Sequence, residues 1–224
     1  MRLDYDSSPL VIIGGWNPNI FSVRWIEENL RHTVFLSDRD EDNPENNEIK
    51  FQMQMGQVYA PIYSPIEVFL DGLRMRTSGD RLEFILSDGI EFKLLEECAN
   101  IICDCLPKTE VISYGANFTF VEDEINQYIA DMIKSNEIIT ICDYFDNPLG
   151  IEDYNINIPL DNRSINIYTK VDHINTRTRV SFNFSFDINK LSHFKASISK
   201  HPICDLYECA KKIMLKTYKT ELED

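Results

Sequence analysis

The chain has 224 residues, 43% of them hydrophobic and 26% charged, which excludes an intrinsically disordered protein and indicates a soluble globular one. Its formal net charge of -15 disfavours direct binding to DNA, RNA or an anionic membrane, unless one face gathers the Arg residues. No apolar run approaches the length of a membrane span, and the six cysteines lie mostly in apolar patterns. We therefore expect a cytoplasmic protein with free thiols, and homo-oligomerisation is left open.

Short apolar runs and one long polar loop make up the N-terminal part. Residues 10–13 form a short apolar run closed by Gly14 and Gly15. Residues 21–30 are compatible with a strand or a helix, and the spacing of their apolar residues favours a short helix. Residues 37–48 include six carboxylates and no apolar anchor, which is typical of an exposed loop. The alternation in residues 49–55 then predicts a strand with one solvated face.

The stretch from residue 73 to residue 121 has the clearest pattern in the chain. Residues 73–76 and 81–86 flank Thr77-Ser78-Gly79-Asp80, which predicts a β-hairpin. A turn at Ser87-Asp88-Gly89 should lead into an amphipathic helix that ends at Pro107, and residues 111–121 should form a strand with a bulge at Gly115. The residues expected on the buried face of the hairpin are Leu73, Met75, Leu82, Phe84 and Leu86.

The rest of the chain predicts further strands between helices. We expect a helix over 122–134, a strand over 137–144, and alternating strands around 154–158, 165–171 and 180–186. A short helix within 187–199 and a final helix over 203–223 complete the pattern.

Two helices share a motif at a spacing of about half the chain. Leu95-Glu96-Glu97-Cys98-Ala99-Asn100-Ile101-Ile102 is matched at five positions by Leu206-Tyr207-Glu208-Cys209-Ala210-Lys211-Lys212-Ile213. Either a diverged duplication or coincidence between two ordinary amphipathic helices explains the match. Both explanations predict that Cys98 and Cys209 are small core residues.

These patterns predict an α+β fold, with antiparallel sheets and helices packed on one face. The chain would form two similar halves, 1–134 and 135–224, packed as one compact unit.

Few residues form a pattern typical of catalysis. The chain lacks a nucleophile elbow, a phosphate-binding loop, a dinucleotide fingerprint and a His-Glu-x-x-His motif, which favours a non-enzyme without cofactor or metal. A metal-dependent hydrolase or nuclease remains an alternative if distant carboxylates such as Glu48 and Asp71 converge beside a lysine. A nucleic-acid mimic, with carboxylates spaced like phosphates, is a further alternative.

Two segments resemble a family of bacterial and archaeal α+β proteins of similar length with no assigned activity. They are Tyr114-Gly115-Ala116-Asn117-Phe118 and, before the last helices, Phe184-Ser185-Phe186-Asp187-Ile188. The chain departs from the family pattern at Phe118, where the family has Tyr, and at Asn189. The resemblance implies an antiparallel α+β fold and a prokaryotic setting, and it carries over no site residues.

The acidity and the lack of catalytic motifs favour a non-catalytic factor of prokaryotic or phage origin that binds a basic protein. Immunity proteins, antitoxins, chaperone-like proteins and antiviral defence factors are examples of this class. The candidate contacts are carboxylates in the polar loop and at the predicted start of the helix over 122–134. They are Asp38, Asp40, Glu41, Asp42, Glu45, Glu122, Asp123 and Glu124.

Overall fold

The computed structural model describes residues 1–30, 50–53, 66–70, 72–134 and 150–223. Over these residues the fold is α+β with an antiparallel sheet, which confirms the fold class predicted from the sequence. The helices are α1 (Val23–Asn29), α2 (Lys93–Cys105), α3 (Gln127–Ile133), α4 (Leu191–Lys200) and α5 (Ile203–Thr217), and 3-10 turns lie at Tyr5–Ser7 and Pro18–Ile20.

The described strands pair in the order β3-β4-β5-β6-β2-β7-β10-β9-β8, and β1 pairs with β7 outside this path. Their bounds are β1 (Arg2–Leu3), β2 (Leu10–Gly14), β3 (Lys50–Met53), β4 (Ile66–Leu70), β5 (Leu73–Thr77), β6 (Arg81–Leu86), β7 (Val111–Glu122), β8 (Ile151–Leu160), β9 (Arg163–Asp172) and β10 (Arg177–Asp187). The two ends of this order are β3 and β8. The strand predicted over 137–144 lies outside the described residues.

The predicted hairpin is formed by β5 and β6, with Leu73 opposite Leu86 and Met75 opposite Phe84. These side chains and Leu82 are buried, because every second residue of each strand faces the core. On the other face, arginines of both strands form ion pairs with glutamates of β4 and β6. The predicted buried face of the hairpin is confirmed, whereas β4 was not expected after Pro65.

Helix α2 forms where the apolar stripe predicts it. Its buried residues, Leu95, Cys98, Ala99, Ile102 and Cys103, follow the spacing of one helical face. The helix ends two residues before Pro107, whose ring would clash with a continuing helix. Its buried stripe packs against β6 and α4.

The bulge predicted at Gly115 is wrong, because Gly115 pairs regularly with Val11 of β2. The register between β2 and β7 shifts instead between Ile13 and Gly14. Gly14 lies so close to the carbonyl oxygen of Glu110 that a Cβ atom there would be 2.3 Å from it. The irregularity therefore sits where a side chain could not fit.

Two predicted helices are shorter than expected. Glu122 is the last residue of β7, and α3 begins after Asn126, whose side-chain oxygen accepts a hydrogen bond from the Ile129 N–H at 3.2 Å. The final helix α5 ends at Thr217, and Lys219 adopts a positive φ of 49° beyond it. An asparagine cap and a left-handed residue thus set these two boundaries.

Strand β10 has the alternation that the sequence predicts. Its apolar residues, Val180, Phe182, Phe184 and Phe186, are buried, and the polar residues between them are half-buried. Tyr207 of α5 packs against the rings of Phe118 and Phe120 on β7, at centroid distances of 5.5 and 6.3 Å. Phe118 and Phe120 in turn contact Phe184 and Phe182.

The chain divides into two compact units that interleave along the sequence. The first unit comprises Met1–Ser8, Asn117–Ser185 and Tyr207–Asp224, and the second comprises Pro9–Ala116 and Phe186–Leu206. The predicted halves, 1–134 and 135–224, stay a prediction. The strands β7 and β10 contribute residues to both units.

The expectation that Cys98 and Cys209 are equivalent core residues is wrong for Cys209. Cys98 is fully buried on α2, whereas Cys209 is exposed on α5. The buried face of α5 passes through Leu206, Ala210 and Met214, so that Cys209 points away from it. The five matching positions thus do not share one orientation, and duplication stays a prediction.

Candidate functional site

Most of the predicted acidic contacts lie outside the described residues. Asp38, Asp40, Glu41, Asp42 and Glu45 belong to this group. Glu48 and Asp71, the carboxylates considered for a metal-dependent hydrolase, lie outside them as well.

The acidic segment 122–124 lies in the first unit, and its carboxylates are partly compensated. Glu122 accepts a hydrogen bond from the Asn126 side chain at 3.0 Å. Asp123 is ion-paired with Arg2 at 3.0 Å and with Arg177 at 3.3 Å. Glu124 is exposed. Because two arginines offset Asp123, this segment presents less negative charge to a partner than its sequence suggests.

The cysteines of the described residues are free, and burial makes two of them poor nucleophiles. Burial raises the pKa of the Cys98 thiol to about 12, and Glu97 nearby adds to the shift. Burial also raises the pKa of Cys103 to about 12, with a contribution from Asp104. The pKa values of Cys105 and Cys204 are raised for the same reason. A thiol with a raised pKa is less often the reactive thiolate near neutral pH.

Within the described residues, no group of three or more His, Cys, Asp or Glu side chains is arranged to hold a metal ion. The helices among these residues are also too short or too polar to cross a membrane.

Strand β8, at one end of the strand order, exposes several apolar side chains. Its side chains Tyr154, Ile158 and Leu160 are 51%, 41% and 39% exposed. These apolar side chains lie at alternate positions, as in a strand that faces a core. This face of β8 is nevertheless exposed over much of its length. Exposed apolar surface of this kind is typical of a site where another protein binds.

The backbone of β8 has a free hydrogen-bonding edge among the described residues, because β9 is its single neighbour in the strand order. Ile151 lies opposite Asp172, and the preceding pair is hydrogen-bonded, with the His173 N–H donating to the Gly150 carbonyl at 2.9 Å. Hydrogen-bonded and non-hydrogen-bonded pairs alternate along an antiparallel ladder. The even-numbered residues of β8 therefore bond to β9, and the odd-numbered residues direct their N–H and C=O groups outward.

The outward residues are Ile151, Asp153, Asn155, Asn157 and Pro159. Four of them have an N–H group to donate, since Pro159 has none. The strand contains no lysine, and its ten residues are long for an edge strand. Natural edge strands are commonly short or carry lysine, which discourages pairing with another chain. Proline is another protective feature, and β8 has one, Pro159, near its end.

Helix α3 lies beside β8 and extends the exposed apolar surface. Its Tyr128 and Met132 are each 43% exposed, whereas Ile129 and Ala130 are buried. Tyr128 is covered in part by the ammonium group of Lys219, 5.1 Å from the ring centre. We call β8 together with Tyr128 and Met132 the β8 surface.

The sequence predicted β8 as a strand but did not indicate its exposure. Tyr154, Ile156 and Ile158 alternate with polar residues, a pattern that normally marks a buried face. Position within a sheet depends on pairing between distant segments, which the pattern of a single strand does not encode. The presence of Pro159 near one end was the available signal.

Comparisons with protein-family models, curated proteins and solved structures gave no match to the chain. The resemblance to a bacterial and archaeal family therefore stays a prediction.

Proposed function

We propose that the protein is a non-catalytic protein-binding factor of prokaryotic or phage origin, acting in the cytosol, that holds an extended segment of a basic partner along β8. The observation that carries this proposal is the outward backbone edge of β8, flanked by exposed apolar side chains. An added strand gains main-chain hydrogen bonds, and its alternate side chains contact the exposed apolar residues. Immunity proteins, antitoxins and defence factors act through such stoichiometric binding.

The charge of the chain favours a basic partner over a second copy of the protein. Two copies would each bring a net charge of -15, and these charges repel at long range. A segment rich in lysine or arginine is attracted instead, which raises its association rate. Asp153 is an exposed carboxylate on the outward edge of β8, positioned to lie beside such a segment.

Amide hydrogen exchange in the isolated protein, resolved by residue with NMR, tests whether the edge is open. We expect the N–H groups of Asp153, Asn155 and Asn157 to exchange fast, and those of Tyr154 and Ile156 to exchange slowly because they bond to β9. Equal protection of both sets without a partner would show that the chain itself covers the edge, and the proposal would be overturned.

A peptide titration tests the kind of segment that binds. The probes are fluorescent ten-residue peptides of alternating Val and Lys, of alternating Val and Glu, and of Val and Lys with a central Pro. We expect the uninterrupted Val–Lys peptide to bind more than about 10-fold tighter than the other two, a difference of about 1.4 kcal/mol. The Pro-containing peptide has the same charge, and so it separates strand addition from simple charge attraction.

The matched variants are Asn155→Pro and Asn155→Ala. Proline removes an N–H group that points outward and leaves the hydrogen bonds to β9 in place. Alanine keeps the outward N–H group as well as those hydrogen bonds. We expect the proline variant to lower affinity for the Val–Lys peptide about 10-fold and the alanine variant to change it less than about 3-fold. Equal affinities for the two folded variants would contradict binding along this edge.

A further inference from the structure

A second site lies in the first unit, on the polar side of β9 and β10. It is a pocket of about 210 Å³ lined by Lys170, Asp172, Asn175, Arg177 and Arg179. In a chain with 37 acidic and 22 basic side chains, three of these five residues are cations. The question is therefore what these cations bind.

The one carboxylate in the lining is already engaged by its own turn. Asp172 accepts hydrogen bonds from the N–H groups of Ile174 and Asn175 at 3.1 and 3.0 Å, and from the Asn175 side chain at 3.0 Å. The hydrogen bonds from Asn175 are the main cause that lowers the pKa of Asp172. Lys170 Nζ lies 3.7 Å from its Oδ2, beyond hydrogen-bonding distance.

The two arginines are also paired loosely. Arg177 Nε lies 3.3 Å from Asp123 Oδ1, and it is buried without a hydrogen-bond partner among the described residues. Among the described residues, Arg179 has a carboxylate contact of 3.9 Å, from Nη2 to Asp4 Oδ2. Each guanidinium has five N–H donors in a fixed plane, so that most of these donors remain available.

The carboxylates around the pocket are each held by another donor at a shorter distance. Asp123 accepts a hydrogen bond from Arg2 at 3.0 Å, and Asp4 accepts one from the Ser7 hydroxyl at 2.8 Å. Asp153, which lies opposite Lys170 in the register of β8 and β9, accepts one from the Tyr168 hydroxyl at 3.1 Å. These acids offset the local positive charge, but they leave the donors of the pocket cations largely unused.

We infer that this pocket binds the phosphate group of a small phosphorylated molecule, or free phosphate. A tetrahedral dianion can accept from both guanidinium groups and the ammonium group at once, and Arg is well suited to bidentate phosphate binding. The pocket is too small for a drug-sized ligand and has room for one such group. A polyanion such as nucleic acid is disfavoured by the net charge of -15.

The site is held by rigid elements, which suits specific binding. Lys170 lies near the end of β9, Arg177 and Arg179 lie at the start of β10, and the turn between these strands is fixed by Asp172. Thr178, between the two arginines, is fully buried and is hydrogen-bonded to the Glu124 carbonyl and the Asn126 N–H. The two arginines therefore extend from an anchored stretch of backbone.

Isothermal titration calorimetry with inorganic phosphate, ribose 5-phosphate and, at matched ionic strength, chloride tests the inference. We expect saturable binding of at least one phosphate probe and none of chloride. Tighter binding of ribose 5-phosphate identifies a phosphate ester as the ligand, and tighter binding of inorganic phosphate identifies the free ion. Either result supports the site.

The variants Arg179→Gln and Lys170→Gln should each weaken phosphate binding at least about 10-fold, since each removes a charged donor. Arg24→Gln is the matched control, because Arg24 is an exposed cation on α1 that is paired with Glu28 and does not line the pocket. Arg179→Lys keeps the positive charge but lacks the planar guanidinium group that binds phosphate in a bidentate way, and it should give an intermediate affinity. Thermal denaturation without phosphate confirms that each variant is folded. Absence of saturable binding, or an equal loss in the control, would overturn the inference.

Discussion

The missing side chain of Gly14 is what allows β2 to pass the carbonyl oxygen of Glu110. That oxygen accepts a hydrogen bond from the Gly15 N–H at 2.8 Å, which fixes it in place beside Gly14. A Cβ atom at Gly14 would lie 2.3 Å from it and 3.1 Å from the Val111 Cα. Both contacts are with backbone atoms, which cannot move away as a flexible side chain could.

Gly14→Ala should therefore lower the free energy of unfolding by about 2–3 kcal/mol, in the range of overpacked core substitutions. Gly15→Ala is the matched control, since a Cβ there meets no atom within 4 Å. Urea denaturation of both variants measures the difference. A Gly14 variant as stable as the Gly15 variant would contradict the close approach.

The two cysteines of the repeated motif differ in burial, and so their replacement should have different effects on stability. Cys98→Ala should cost about 1–2 kcal/mol, because it opens a small cavity in a fully buried site. Cys209→Ala should change stability by less than about 0.5 kcal/mol, because its side chain is exposed. Thermal and urea denaturation of the two variants provide the comparison, and similar losses for both would indicate that Cys209 also packs in a core.

At the scale of elements, the turn between β9 and β10 depends on the charge of Asp172. The hydrogen bonds that this carboxylate accepts lower its pKa, so that the ionised form is favoured in the folded state. Its contribution to stability is therefore present above its ordinary pKa of about 3.9 and is lost as the pH falls below that value.

Asp172→Asn keeps the shape of the side chain and removes the charge. We expect the variant to be less stable than the wild type at pH 7, and the difference to shrink as the pH falls from about 5 to about 2.5. Urea denaturation across this range, analysed as the difference between the two proteins, cancels the titration of other carboxylates. A difference that is independent of pH would show that the charge has no role in the turn.

Local patterns predicted some elements well and others poorly, for physical reasons. The hairpin of β5 and β6, α2 and β10 carry complete periodic faces in residues that are close in sequence. The strand β4 was missed because Pro65 interrupts the chain just before it, and Glu67 lies within its short apolar run. At α3, the carboxylates 122–124 predict a helix start, whereas β7 extends through Glu122 in the structure.

On the scale of the whole molecule, the net charge of -15 governs association with other molecules. Its field should speed the approach of a basic segment to the β8 surface, whereas the main-chain bonds formed along β8 act at short range. Salt screens the long-range attraction, with a Debye length of about 10 Å at 0.1 M ionic strength. It affects the short-range main-chain hydrogen bonds much less.

The affinity of the Val–Lys peptide should therefore fall steadily between about 50 and 500 mM salt. The ratio of its affinities for the wild type and for Asn155→Pro should stay nearly constant over the same range, because the variant loses a backbone contact and no charge. Fluorescence anisotropy measures both quantities. A ratio that approaches one at high salt would mean that charge alone holds the peptide.

The sequence by itself determined the α+β class, the strong periodic elements and the charge of the molecule, since these depend on composition and on neighbouring residues. It did not determine which strand lies at an edge, which of two similar cysteines is buried, or that Lys170 meets Arg177 and Arg179 in one pocket. The edge position of β8 and the burial of Cys98 arise when segments far apart in the chain pair and pack, whereas the pocket forms where the consecutive strands β9 and β10 lie side by side. The open edge of β8 and the cationic pocket are properties of that tertiary arrangement, and so the proposed binding sites could be located only in the folded structure.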